Sequence, residues 1–226
     1  MSENRFVLVL GSPEYPAQLA ECPDPPKVLY GIGDPSALRP GLAIVGARRP
    51  TPYGLRATRM FAGWAASRGI TVISGAAIGC DREAHAAALE LGGPTVAVLG
   101  CGADVDYPQR SSGLLAAMRM QSAVVSECPF GQQPLRFAFA RRNRIIAGLA
   151  TAVLVVEAGL PSGTFSTADA ALDAGRDVLA VPGSIFSPEP RGSTRLIRRN
   201  HGQRHRGPGD EPWAHGRSAG CDTRRG

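Results

Sequence analysis

Short runs of apolar residues recur along the chain between residues 42 and 183, and they are rich in Val, Ile, Leu and Ala. Nearly every position in a run is apolar, which is typical of strands buried on both faces of a parallel sheet. The predicted strands are 42–46, 71–75, 95–100, 122–127, 152–158 and 177–183. Their starts lie 24 to 30 residues apart, which leaves room for one crossover helix between consecutive strands.

The segments between the predicted strands show the spacing of amphipathic helices. Residues 53–69 predict a helix whose apolar side carries Leu55, Phe61, Trp64 and Ala65. Arg56 and Arg59 fall on another side of the same helix. A second helix is expected to begin at Asp81 as its N-cap and to end at Gly92 and Gly93. This alternation predicts the α/β class, with a doubly wound, mostly parallel sheet and helices on both faces.

Composition divides the chain into three parts. Residues 1–40 are rich in proline, and we expect an N-terminal extension that packs on the core and adds a short strand or hairpin. Residues 41–198 form the α/β domain. Residues 199–226 are rich in Gly, Pro and Arg without sustained periodicity, so we expect this tail to be disordered.

The charge of the chain is unevenly distributed. The formal net charge is +6, yet residues 191–226 alone contain nine arginines and three acidic residues. Between Asp34 and Asp81 there are six arginines and no acidic residue, and between Glu127 and Glu157 there are four more arginines and again no acid. With no acid nearby in the sequence to pair with them, these arginines predict a basic surface if the two windows meet in space.

Several classes of protein are not supported by the sequence. There is no apolar run of about 18 residues and no N-terminal secretory signal. The five cysteines are scattered and form no CxxC pair, which is typical of a protein of the reducing cytoplasm. We expect no metal ion and no cofactor.

Two loops that follow predicted strands favour an anionic ligand, because ligands of doubly wound sheets lie beyond the carboxyl ends of the strands. The loop "GARRPTPYG" carries Arg48 and Arg49; it lacks the G-x-G-x-x-G pattern of a dinucleotide site, and a solvated loop is the alternative. The loop "EAGLPSGTFSTADAA" places small and hydroxyl residues at a helix start, where free N–H groups and the helix dipole attract anions.

Asp81 and His85 lie four residues apart on one face of a predicted helix. A metal site or an acid–base pair is one interpretation. A capping aspartate and a structural histidine are the interpretation that we favour.

Three segments therefore converge on anions: Arg48 with Arg49, the cluster 141–144, and the turn 162–167. Two arginine clusters and a nest of N–H groups suit a phosphodiester backbone better than a single small phosphate. Tyr53, Phe137 and Phe139 could stack on bases, although we expect the two phenylalanines to pack in the core.

Seven motifs follow one another in an order that resembles the DNA processing protein A family (DprA, also called Smf). They cover the chain from about residue 5 to residue 198 and read "GARRPTPYG", "SGAAIGCDREAH", "AVLGCGADVDYP", "SECPFGQQP", "FARRNRIIAGL", "VVEAGLPSGTFSTADAALDAGRDVLAVPG" and "GSTRLI". The resemblance implies an extended Rossmann-like domain that binds single-stranded DNA, forms a homodimer and is not an enzyme. It also implies protection of incoming DNA in natural transformation and loading of the RecA recombinase onto that DNA.

The resemblance also assigns DNA-binding residues. Arg48 matches the arginine of the family's G-[AST]-R loop. The R-N-R element is matched by Arg142, Asn143 and Arg144, and the S-G-[ST]-x-x-T-A turn by Ser162, Gly163 and Thr167. Arg49 and Arg141 are added because of their charge and proximity alone.

The chain also departs from the family pattern. Many members carry a small helical domain before the Rossmann part and a winged-helix domain after it, and neither is expected here. The family continues after "LI" with an apolar segment, whereas this chain continues "RRNHGQRHRGPGD". A frameshift or a truncated gene model near Arg198 is the hypothesis that this departure suggests for the tail.

A different function remains as an alternative, namely a nucleotide phosphoribohydrolase with a related Rossmann fold. Those enzymes carry a catalytic glutamate three residues after the threonine of their phosphate turn. Ala170 occupies that position here, so the carboxylate that would stabilise an oxocarbenium-like transition state is missing.

Overall fold

The computed structural model describes residues 4–159 and 163–183. The strands are β1 (Arg5–Val9), β2 (Val28–Gly33), β3 (Gly41–Val45), β4 (Thr71–Ser74), β5 (Thr95–Leu99), β6 (Ala123–Ser126), β7 (Ala150–Val155) and β8 (Asp177–Ala180). The α-helices are α1 (Ala17–Ala20), α2 (Pro52–Ala66), α3 (Cys80–Glu90), α4 (Ser112–Gln121), α5 (Arg136–Leu149) and α6 (Thr164–Asp173). All six predicted strands are present, each within a few residues of its predicted bounds.

The eight strands form one sheet in the order β1-β2-β6-β5-β4-β3-β7-β8. Strands β3 to β8 are parallel to one another. At one edge, β2 is antiparallel both to β6 and to the outermost strand β1. Side chains alternate between the two faces: Val45 contributes to the cluster under α5 and α6, whereas Ile44 packs with α2 and α3. The predicted α/β class with a mostly parallel sheet and helices on both faces is therefore confirmed.

The hairpin β1–β2 joins the N-terminal residues to this sheet. Gly33 of β2 pairs with Ala123 of β6, and Leu8 and Leu29 lie in the same apolar cluster as Ile145 of α5. Strands from both sides of residue 40 thus belong to one sheet. The boundary at residue 40 between an N-terminal extension and the α/β domain stays a prediction. The predicted tail, residues 199–226, lies outside the described residues.

Two local predictions about helices are wrong. Asp81 is not the N-cap of α3, because the helix begins at Cys80 after Gly79, and Asp81 lies buried in its first turn. Trp64 does not lie on the buried side of α2. It is exposed, while small residues such as Ala62 and Ala65 fill the tight interface with the sheet.

The order of the strands places a topological switch point beside β3. From β3 the chain adds β4, β5 and β6 on one side and then crosses to β7 on the other. The loops that follow β3 and β7 therefore diverge above the sheet and leave a crevice between them, which is where such folds bind ligands. Among the helices of residues 4–159 and 163–183, none has the length and apolar character needed to span a bilayer.

Replacing Leu29 with alanine tests whether the hairpin belongs to the main core. Leu29 is fully buried, so Leu29→Ala is expected to lower the free energy of unfolding by about 2–5 kcal/mol in denaturant titrations. Val7→Ala on the exposed side of β1 is the control and is expected to change it by less than about 0.5 kcal/mol. A separate unfolding transition for the hairpin would contradict a shared core.

Candidate nucleic-acid interface

A cavity of about 820 Å³ opens at the switch point. Its walls are the β3–α2 loop, the residues after β7, the first turn of α6 and one face of α5. Six of the nine residues predicted to bind DNA line it: Arg48, Arg49, Arg142, Asn143, Gly163 and Thr167. Ser162 lies outside the described residues. Arg141 and Arg144 are not among the described residues that line the cavity.

Arg48 and Arg49 are exposed at the mouth of the cavity, on the loop between β3 and α2. The loop lies against the β4–α3 loop, where Cys80 donates its backbone N–H to Ala47 at 3.2 Å. Gly79 makes this contact possible, because its φ is +92° and a Cβ would collide with the carbonyls of Ala47 and Arg48. Neither arginine has an ion pair or side-chain hydrogen bond with the described residues, so both guanidinium groups are available for a ligand.

The N-terminus of α2 is already occupied by protein groups. Thr51 is the N-cap, and its hydroxyl accepts from the N–H of Gly54 at 3.2 Å. The carboxylate of Glu157, which follows β7, accepts from the N–H of Thr51 at 2.8 Å. Because these oxygens neutralise the start of α2, this helix does not offer an open anion site.

The N-terminus of α6 has no comparable cap. Gly163 is the N-cap residue, and no side chain of the described residues caps the helix. Asn143 of α5 donates to Ser166 Oγ at 2.7 Å, and Ser166 donates to the carbonyl of Gly163 at 2.7 Å, so the start of α6 is fixed against α5. Thr167 is buried at the cavity wall. This helix start therefore directs the positive end of its dipole to the cavity.

Arg142 is buried beneath the cavity, where it holds strands together. Its Nη1 donates to the carbonyl of Gly75, which directly follows β4, at 2.8 Å. It also donates to the carbonyl of Val98, which lies within β5. A Cβ at Gly75 would collide with the guanidinium group. Gly75, directly after β4, therefore makes room for this arginine.

Asp81 is the acidic residue whose charge interacts with that of Arg142. Burial raises the pKa of Asp81, and the positive charge of Arg142 opposes that rise, as does a hydrogen bond from the N–H of Gly75 at 3.1 Å. Burial likewise lowers the pKa of Arg142, and the charge of Asp81 opposes this change. The two side chains thus compensate one another in a region where either charge alone would be costly.

Arg141 and Arg144 contradict the expectation that no acid is near enough to pair with them. Arg144 bonds Asp24 and Glu127, each at 2.7 Å, and its side chain is only 17% exposed. Arg141 bonds the same oxygen of Glu127 at 3.1 Å, with its side chain 56% exposed. Asp24 is 120 residues away in the sequence, so the pairing could not be read from the acid-free window. Whether either arginine binds DNA stays a prediction.

Arg136, which was not predicted to belong to the site, lines the cavity, and so does Phe139, which was considered for stacking on bases but was expected to pack in the core. Arg136, Phe139 and Asn143 lie three and four residues apart on α5 and therefore share one face of the helix. That spacing was the signal available in the sequence. Phe139 is half-buried against Tyr107, with ring centroids 5.2 Å apart, whereas Phe137 is exposed and not in the core as expected.

His85 is a structural residue in this fold. It is fully buried, and its Nδ1 lies 2.7 Å from the hydroxyl of Thr95, which itself donates to the carbonyl of Val72. Burial, with a smaller contribution from the charge of Arg142, lowers the pKa of His85 to about 3. No group of three or more His, Cys, Asp or Glu side chains in the described part of the chain could hold a metal ion.

The cavity as a whole is cationic. Arg48, Arg49, Arg136 and Arg142 line it together with the two acids Asp81 and Glu157. Glu157 is bonded to the backbone of Thr51, and the pKa of Asp81 is raised. The charged groups at the mouth are therefore mainly the guanidinium groups of Arg48 and Arg49, beside the positive end of the α6 dipole, and this arrangement suits an anionic ligand.

Comparison with known proteins agrees with this geometry. Residues 6–206 match the model of the family described as DNA recombination-mediator protein A. The chain belongs to this family. Protein Smf of Escherichia coli is 44% identical over 197 residues, which are 86% of this chain and 53% of that protein. The chain spans about half of the length of the curated relatives that it matches first.

Two solved structures of DNA processing protein A have the same fold. The X-ray structure of the Streptococcus pneumoniae protein has a TM-score of 0.81 and 38% identity, over 86% of this chain and 69% of that one. The Helicobacter pylori protein has a TM-score of 0.78 and 29% identity, over 87% of this chain and 88% of that one. The description of the second structure concerns its mode of binding single-stranded DNA.

Arg142→Met tests the structural role of the buried arginine. The substitution removes the hydrogen-bond donor of two buried carbonyls and the positive charge that interacts with Asp81. We therefore expect the free energy of unfolding to fall by about 3–5 kcal/mol in chemical denaturation. Arg141→Met is the matched control on the same helix, and an exposed pair of this kind is worth no more than about 1 kcal/mol. Equal effects of the two substitutions would refute the distinction.

His85 predicts a dependence of stability on pH. The unfolded chain takes up a proton near pH 6.5, whereas the folded state resists protonation down to about pH 3. The unfolded state therefore binds more protons across this window, and stability that is complete above pH 6.5 is lost as the pH falls, by up to about 1.4 kcal/mol per pH unit. His85→Gln should reduce this slope between pH 6.5 and 4 in urea titrations; an unchanged slope would assign the effect to other groups.

Proposed function

We propose that this chain binds single-stranded DNA at the switch-point cavity and acts as a recombination mediator without catalysing a reaction. The observation that carries the proposal is the cavity itself, where Arg48, Arg49 and Arg136 meet the start of α6. The description of the Helicobacter pylori relative as a protein that binds single-stranded DNA supports the choice of ligand.

The arrangement favours a strand backbone over a single small phosphate. The positive end of the α6 dipole can attract one phosphate. Arg48 and Arg49 on one wall and Arg136 on another then remain for neighbouring phosphates. Phe139 at the wall offers an aromatic surface for a base, which is a sequence-tolerant contact.

The further roles implied by the family resemblance are part of the same proposal. They are protection of incoming DNA, loading of RecA, participation in natural transformation, a homodimeric state and a cytoplasmic location. The membership of the chain in the DNA recombination-mediator protein A family supports them.

The absence of catalysis is also a proposal, and an assay for release of the base from nucleoside monophosphates tests it. Ala170 lies on α6 where the phosphoribohydrolases carry their glutamate, so no turnover is expected. Turnover that depends on this protein would favour the enzymatic alternative.

Binding to oligo-dT at about 50 mM and about 200 mM salt tests the central proposal in a mobility-shift assay. Affinity is expected to fall as salt rises, because binding releases counterions from the strand. No shift of the oligonucleotide at the lower salt concentration would refute DNA binding.

Arg48→Ala is expected to weaken binding of oligo-dT by about 1–2 kcal/mol without loss of stability, since its guanidinium group is exposed at the mouth. The slope of log affinity against log salt should fall by about one. Lys27→Ala removes an exposed charge directly before β2, which is four strand positions from β3 in the sheet, and serves as the control. If Arg48→Ala keeps the affinity and the salt slope of the wild type, Arg48 does not belong to the interface.

A further inference from the structure

A line of basic and aromatic side chains runs along the outer face of α2. We call it the α2 stripe, and its members are Arg49, Tyr53, Arg56, Met60, Trp64 and Arg68. Tyr53, Arg56, Met60 and Trp64 are spaced three or four residues apart on α2 and share one helical face; Arg49 lies in the loop before the helix and Arg68 just beyond its end. All six residues are exposed.

The stripe carries unneutralised positive charge. The sequence between Asp34 and Asp81 contains no acid, so α2 itself supplies no partner for its arginines. Arg59, on the neighbouring face of α2, is paired with Glu83 and Glu90 of α3. Arg56 and Arg49 have no ion pair with the described residues, which leaves the charge of the stripe open to an external anion.

Exposed aromatic rings alternate with these charges. The side chains of Tyr53 and Trp64 are 44% and 49% exposed, although rings of this size are usually buried more deeply. The guanidinium carbon of Arg68 lies 4.7 Å from the centroid of the Trp64 ring, so one face of the indole is covered by a cation. The opposite face is where a planar group could stack.

The stripe is continuous with the switch-point cavity. Arg49 belongs both to the stripe and to the cavity wall, and Tyr53 follows it in the first turn of α2. The hydroxyl of Tyr53 donates to the carbonyl of Pro182 at 3.1 Å, so this ring is held beside the mouth. From there α2 extends for 15 residues, which is about 22 Å.

We propose that the α2 stripe is a second track for single-stranded nucleic acid, which leaves the cavity past Arg49 and Tyr53 and runs along α2 to Trp64 and Arg68. This inference rests on the proposed function of the cavity. Unpaired arginines supply contacts to phosphates, and the rings supply stacking surfaces for bases, as is common in sites that bind single strands without sequence preference. A protein partner would not require this alternation of charge and aromatic rings.

The length of the oligonucleotide separates the stripe from the cavity. An oligo-dT of about 4 nucleotides can occupy the cavity alone, whereas one of about 16 nucleotides can also reach the stripe. Affinities of both are measured by fluorescence anisotropy for the wild type, Trp64→Ala, Trp64→Phe, the double variant Arg56→Ala with Arg68→Ala, and Lys27→Ala. Thermal unfolding of each variant accompanies the titrations.

For the longer oligonucleotide, Trp64→Ala is expected to weaken binding about tenfold. Trp64→Phe keeps an aromatic ring and is expected to retain most of the wild-type affinity. The double arginine variant should reduce the salt slope by about two. All variants should bind the shorter oligonucleotide as the wild type does. In a Trp213→Phe background, which leaves Trp64 as the single tryptophan of the chain, its fluorescence should be quenched by the longer oligonucleotide only.

The outcomes distinguish failure of the stripe from failure of the cavity. Wild-type affinity of the stripe variants for the longer oligonucleotide overturns the proposed track and leaves the cavity as the binding site. Equal weakening for both lengths also overturns it, because the effect then arises in the cavity or in the fold. If the wild type binds neither oligonucleotide, the proposed function itself fails.

Discussion

The guanidinium group of Arg142 is the interaction on which the site depends. It reaches from α5 to the carbonyls of Gly75 and Val98 and thereby fixes the helix over the carboxyl ends of β4 and β5. Arg136, Phe139 and Asn143 occupy the cavity because α5 is held in this position. A charge is stable there only because acceptors and Asp81 compensate its desolvation.

Much of the fold could be predicted from the pattern of the chain, because apolar runs of strand length at regular spacing leave few alternatives to a doubly wound sheet. The convergence of Arg48 and Thr167 also followed, since the segments that follow the carboxyl ends of the neighbouring strands β3 and β7 must meet. The exposure of Trp64 did not follow. Helical spacing identifies a face, but it does not show how closely the helix approaches the sheet, and the alanines of α2 allow an approach that excludes a large ring.

The four arginines of α5 show why charge in sequence is an incomplete guide to a binding surface. Arg136 lines the cavity, Arg142 is buried under it, and Arg141 and Arg144 are paired with Glu127. Helical geometry separates Arg136 from Arg141, five residues away, and the sequence contained that information. The burial of Arg142 and the pairing of Arg144 with Asp24 depend on acceptors from distant elements, so only the folded chain shows them.

The pairing of β2 with β6 has a consequence for synthesis on the ribosome. Gly33 meets Ala123, so the hairpin emerges about ninety residues before the strand that completes its hydrogen bonds. At roughly 5–20 residues per second, the nascent hairpin waits on the order of 5–20 s. During that interval the inner edge of β2, with Leu29 and Ile32 beside it, lacks its partner strand and is open to wrong pairing.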